Sequence, residues 1–425
     1  MERISCLRNF LDRAHSVYHA VALLAETLKA EGYTQLSEAD EWKLVSGGKY
    51  YVIRNGSAML TFRVPEVSPK GFMIGAVHGD RPCFKVKENG VLAGAYTRLA
   101  VEKYGGMLIA PWLDRPLSVA GRVVVETEKG METRLVDVDR DLLLMPNVAI
   151  HMNRAANDGY KWNPATDTIP LMGDKETKAF WEALERLAGG KIVGHDLYLY
   201  VRQPSSVWGM DEEFFSAQAI DDLECAWGCL QGFLHAKSTA SIPVMCMFDS
   251  EEVGSSSYQG AASDLLKNTL SRICKALGLD KKCQLAQSFM VSADNGHALH
   301  PNHPELADSA NAPVMNGGVV IKFNANQKYT TDGVSAAIFR KICQKADVPT
   351  QTYCNRADIA GGSTLGNISL SQVAVPCVDI GLAQLAMHSC YETAGVKDVS
   401  YLADAMTAYY STQLEKSEDG AICLK

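Results

Sequence analysis

The sequence predicts an α/β protein built on a mixed sheet with helices on both faces and interrupted by a β-rich insert. Three observations carry that expectation. The run from Ile242 to Phe248, IPVMCMF, is continuously apolar, as suits a strand buried on both faces of a parallel sheet. It breaks at once into DSEEVGSSS, a turn-forming stretch of the kind found where such strands end. Between about Lys87 and Gly190 the texture changes to short strand-like pieces such as RVVVETEKG, with many turns and few long helical periods. Helix and parallel-strand character resumes at KIVGHDLYLYV. The expected division is therefore a discontinuous unit, 1–87 with 190–425, around an insert at 88–189.

Taken in order, an opening helix is expected from about Ser16, where Ala20, Val21, Leu24 and Leu28 fall on one face. GGKYYVIRNGS follows, and its Asn55-Gly56 pair marks a tight hairpin. GFMIGAVHGD is a strand running into His78 and Asp80. A chain of 425 residues exceeds one ordinary core, in keeping with two units.

Composition excludes several classes. Hydrophobic content of 47% and charged content of 21% are ordinary for a soluble globular protein. The net charge of −8 is mild and no basic run tracks a phosphate backbone, so no nucleic-acid partner is expected. No stretch reaches the roughly 18 apolar residues of a membrane span. MERISCLRNFLDRAHS lacks the apolar core of a secretory signal, which makes the cytoplasm the expected location. The twelve cysteines form no CxxC, and most sit in apolar segments. They read as reduced core thiols.

Five segments end an apolar run with a metal-ligand type: His78 with Asp80, Asp221 and Asp222 in AIDDLECAW, Glu251 and Glu252, Asp294 in SADNGHALHPNH, and His388 in AQLAMHS. A two-metal hydrolase needs this inventory. Zinc takes nitrogen and oxygen ligands with one position left open. A shared carboxylate holds two ions ~3.5–4 Å apart, and an unligated carboxylate must carry the proton. No segment alone is specific, since paired acids in a turn are usually a solvated surface.

In combination these segments resemble the aspartyl and vacuolar aminopeptidase family of dinuclear zinc exopeptidases. DSEEVGS, SADNGHALHPN and AQLAMHS carry the likeness, supported by HGDRP, KYGGMLIAPWLDRPLSVAGRV, AIDDL, IKFNANQKYTTD and GGSTLGNI. The resemblance implies a metallopeptidase fold that removes N-terminal residues, acidic or neutral, from peptides with a free amine. It implies two divalent ions, zinc or alternatively cobalt or manganese. Asp221 would bridge them, with His78, Asp294, Glu252 and His388 completing the ligands. Glu251 becomes the general base, and Asp80 fixes the His78 ring. Lys322, Tyr329 and His297 would line the substrate pocket. His151 of the insert would reach a neighbouring subunit's site in a homo-oligomer, a dodecamer built from dimers. Two positions depart from the pattern: Asp222 stands where asparagine is usual, and NRADIA precedes GGSTLGNI. From the residues alone, a two-metal deacylase or carboxypeptidase and an inactive binding homologue remain open.

Overall fold

The computed structural model describes residues 2–174, 179–362, 364–417 and 421–425. Ser363 of the GGSTLGNI motif and residues 175–178 of the expected insert lie outside them. A nine-stranded mixed sheet forms the main body, in the order Thr34–Gln35, Lys49–Arg54, Ala58–Arg63, Ile242–Phe248, Phe72–His78, Phe289–Ala293, Cys377–Gly381, Val319–Phe323, Thr350–Cys354. Ile242–Phe248 runs parallel to Phe72–His78, with Ile242 opposite Phe72 and Phe248 opposite His78. Phe289–Ala293 joins on the other side and Cys377–Gly381 beyond it, both parallel. Burial on both faces explains the unbroken apolar runs.

Helices cover both faces. One side carries Glu2–Leu11, Val17–Ala30, Ile220–His235, Gly333–Lys345 and Val396–Tyr410; the other carries Leu265–Ala276 and Leu365–Leu370. Val17–Ala30 starts where its sequence signals, because the Ser16 side chain accepts the His19 N–H. An earlier helix, Glu2–Leu11, precedes it and buries Ile4, Leu7, Phe10 and Leu11. The Asn55-Gly56 hairpin forms with both residues at positive φ. Among the described residues, no helix is long and apolar enough to cross a membrane.

A second, antiparallel sheet of six strands runs Gly130–Asp137, Leu117–Thr127, Ile192–Val201, Cys83–Leu92, Thr97–Tyr104, Leu171–Gly173. It has its own apolar core, to which Phe180 and Leu184 of the helix Ala179–Ala188 contribute. Strands on either side of the boundaries expected at 88 and 189 pair within this sheet. KIVGHDLYLYV does not resume the parallel sheet: Ile192–Val201 pairs antiparallel with Leu117–Thr127 along its length, and Cys83–Leu92 already belongs to the second sheet. A β-branched and aromatic strand suits either sheet, so composition does not reveal its neighbours. A third, five-stranded sheet runs Ser206–Trp208, Phe214–Ala217, Glu392–Gly395, Ala383–Leu385, Gly296–His297, and its last two strands follow Cys377–Gly381 and Phe289–Ala293 closely in the chain.

Candidate functional site

Open α/β sheets gather ligands at the carboxyl ends of their parallel strands, and the titratable residues converge there. His78 is the last residue of Phe72–His78. Ile242–Phe248 ends one strand position away, and the chain turns through Ser250 into Glu251 and Glu252. Asp294 follows Phe289–Ala293 directly. Asp221 enters from the first turn of the helix Ile220–His235, and His388 from the loop after Ala383–Leu385. Three non-glycine residues here, Ala219, Ser250 and His388, have φ between 56° and 67°. Such conformations cost of order 1–3 kcal/mol each and persist only where surrounding structure imposes them. The apolar strands beneath, with side chains contributing ~1.5–3 kcal/mol apiece on full burial, provide that backing.

Together these residues line a cleft of about 330 Å³ with Lys322, Tyr329, Tyr353 and His297. The two oxygens of Asp221 face different histidines: Oδ1 is 3.5 Å from His78 Nε2 and Oδ2 is 3.5 Å from His388 Nε2. His388 Nε2 is also 3.4 Å from Glu252 Oε2. Three groupings bring ligand atoms within 4.8 Å of one another: His78–Asp221–Asp294, Asp221–Glu252–His388 and His78–Glu251–Glu252. Asp221 belongs to the first two.

The cleft holds more carboxylates than its cations can neutralise. Burial opposes ionisation of Asp221, yet the neighbouring His388 and His78 outweigh it and hold the group below its ordinary range. The others move upward. Burial, with Asp221 beside it, raises Glu252 well above normal. Asp294 is raised by burial despite Lys322. Glu251 is pushed up to about 7, chiefly by burial. His78 is raised because Asp221 and Asp80 overcome its own desolvation. Such a cluster binds cations in exchange for protons.

Residues 10–410 match the family described as Aminopeptidase I zinc metalloprotease (M18). The chain belongs to the M18 family. A "Probable M18 family aminopeptidase 2" of Clostridium novyi (strain NT) is 39% identical over 423 residues, covering 95% of this chain and 98% of its own. The structure of Ape4 in complex with Nbr1 superposes with a TM-score of 0.92 at 34% identity, over 96% of this chain and 85% of that one. The S. cerevisiae mApe1 dodecamer gives 0.84 at 26% identity, over 96% and 95%. The deacylase and carboxypeptidase alternatives give way to an M18 zinc aminopeptidase, a metallopeptidase hydrolase.

The donor set fits the family's zinc. Ligands at ~2.0–2.1 Å from a tetrahedral ion stand about 3.4 Å apart, close to the 3.4–3.5 Å separations around Asp221. Asp221 Oδ1 and Glu252 Oε1 are buried without a hydrogen-bond partner, a costly state that a cation relieves.

Several cleft residues are held by groups that do not line the cleft themselves. Asp80 accepts the Glu251 N–H at 3.0 Å, the Glu252 N–H at 3.1 Å and the Tyr104 hydroxyl at 2.8 Å. The His78 ring meets both its backbone carbonyl, 3.1 Å from Nδ1, and its carboxylate, 3.5 Å away. Tyr104 ends a strand of the second sheet, and the next residues reach His388. Gly106 O lies 2.5 Å from His388 Nδ1, and the Leu108 N–H donates to His388 O at 3.1 Å. Between them Gly105 has φ +75°, and a Cβ there would sit 3.1 Å from that of Glu252. Glu392 Oε2 accepts the Asp221 N–H at 3.0 Å, and Oε1 accepts the His388 N–H at 2.7 Å. These contacts fix the cleft residues in the way that outer-shell partners fix the ligands of metal sites.

The remaining residues named from sequence fall in three places. Lys322 is fully buried; Nζ donates to Asn295 O at 3.0 Å, lies 3.7 Å from Asp294 Oδ1 and stands 5.3 Å over the Tyr329 ring. Its charge is therefore matched by Asp294 rather than left free in the cleft. His297 and Tyr329 line the cleft. His151 sits in an exposed turn outside the cleft lining. Asp222 belongs to none of the three groupings: Oδ2 accepts the His78 N–H at 3.3 Å. Burial raises its carboxyl well above the ordinary range. A carboxyl biased toward its neutral form is nearly isosteric with asparagine.

Proposed function

We propose that this M18 enzyme is a two-metal aminopeptidase in which Asp221 bridges two zinc ions. His78 and Asp294 hold one ion, Glu252 and His388 the other, and Glu251 is the general base. The observation that carries this reading is the carboxylate of Asp221, whose two oxygens face two different triads. When those triads are filled, Glu251 is left over. Bound zinc would supply Lewis acidity toward the scissile carbonyl and toward water. Glu251 takes a proton as water adds to the carbonyl carbon, then gives it to the departing amine as the C–N bond breaks. Asp80 fixes the Glu251 backbone and the His78 ring, so base and ligand share one anchor.

The substrate is a peptide with a free N-terminus. Its ammonium suits a cleft of excess negative charge, and neutral or acidic first side chains remain to be ranked. Twelve free cysteines suit a reducing, cytoplasmic setting. The dodecamer of the mApe1 relative supports a homo-oligomer here. The exposed position of His151 suits a side chain that completes a neighbouring copy's cleft. The direct test is a panel of unblocked and N-acetylated peptides, assayed as purified, after chelation and after zinc return. Hydrolysis confined to free amines, lost on chelation and restored by zinc, is the expected result. Equal turnover of N-acetylated peptides, or full activity without metal, would overturn the reading.

A further inference from the structure

A second cavity, of about 350 Å³, opens directly beside the metal cleft and shares His297, Tyr353 and Gly362 with it. The cleft alone, at about 330 Å³, lies at the lower end of the ~300–1,000 Å³ range of small-molecule sites. It has room for one residue and its carbonyl. The chain beyond the scissile bond needs somewhere else to go, and the adjoining cavity shares a wall of three residues with the cleft.

Its chemistry is apolar. Leu299, Leu306 and Ile359 are large apolar side chains left 36%, 56% and 40% exposed, and all three line this cavity. The charged groups on its rim are already engaged. Arg356 makes two 2.7 Å contacts with the Asp358 carboxylate and a further bond to Glu305 O. His303 lies 3.1 Å from Glu305. The large apolar side chains, with His297 and His300 beside them, are what remains for a ligand.

We infer that this cavity is the subsite for the second residue of the peptide and that it selects an apolar side chain there. The inference rests on the aminopeptidase reading above and adds the substrate class at the leaving side. Transfer of a Leu- or Phe-sized side chain from water into such a pocket corresponds to roughly 10–150-fold in kcat/KM.

The test fixes the first residue and varies the second. Dipeptides X-Leu, X-Phe, X-Gly and X-Asp are compared with the amide X-NH2, which has no second residue. The expected wild-type order is X-Leu and X-Phe at least tenfold above X-Gly, and X-Asp lowest. In Leu306→Ser and Ile359→Ser, and more fully in Leu306→Asp, the X-Leu to X-Gly ratio falls toward one. Because the ratio is taken within one preparation, a partly unfolded variant does not mimic the effect. A flat wild-type profile at position two, or variants that change selectivity at position one instead, would overturn the assignment. Failure of the underlying reading looks different: neither X-NH2 nor any dipeptide is hydrolysed.

Discussion

At the scale of single residues, the adjacent aspartates divide sharply. Two histidines favour the ionised form of Asp221, whereas burial pushes the Asp222 carboxyl toward its neutral form. Asp221→Ala should therefore lose most bound zinc and all turnover, while Asp222→Asn stays within a few-fold of wild type on both counts. Zinc content of the purified variants measures this, and the reverse ranking would show that the bridge was assigned to the wrong member. Lys322→Met makes a second prediction. Since the ammonium is paired with Asp294, its loss should damage acidic and neutral first residues alike; loss confined to acidic ones would place it in the side-chain pocket. The residue types that gather at the cleft were legible because each follows an apolar run or opens a helix. The roles of Tyr104, Gly106 and Glu392 were not, although Tyr104 and Gly106 lie in the KYGGM motif. Tyr104 lies on an antiparallel strand of another sheet, and Gly106 acts through a backbone carbonyl on a histidine 282 positions away, which leaves no mark in residue type.

At the scale of elements, Val17–Ala30 carries a pH dependence of its own. His19 Nδ1 is 2.8 Å from the Ser16 hydroxyl that caps the helix, and burial, the largest cause, lowers its pKa to about 4. The unfolded chain takes up this proton near 6.5 while the folded one resists it, so stability falls as pH drops from about 6.5 to 4. His19→Gln should flatten that part of the Tm profile relative to wild type; an unchanged slope would assign the loss to other groups. Parallel strands were readable from their unbroken apolar runs, as Ile242–Phe248 illustrates. Ile192–Val201 was not, because strand composition carries no information about direction or sheet. The helix Glu2–Leu11 does show an apolar face, Ile4, Leu7 and Leu11, but its short length makes a weak periodic signal.

At the scale of the whole molecule, the second sheet does more than decorate the first. Its Tyr104–Leu108 segment touches Asp80 on one side of the cleft and His388 on the other, so any displacement of that sheet reaches both proposed metal positions. If His151 serves a neighbouring copy, an isolated monomer should lose activity while keeping its zinc. Mass photometry alongside turnover on dilution checks this, and a fully active species of monomer mass would contradict it. The central claim, two ions sharing Asp221 with Glu251 free as the base, is tested most directly by measuring bound zinc and turnover together on Glu251→Gln. The amide cannot accept the proton, so the account predicts two zinc ions retained per chain and a rate lower by ~10²–10⁴-fold. A near-wild-type rate, or loss of an ion with the substitution, would contradict it.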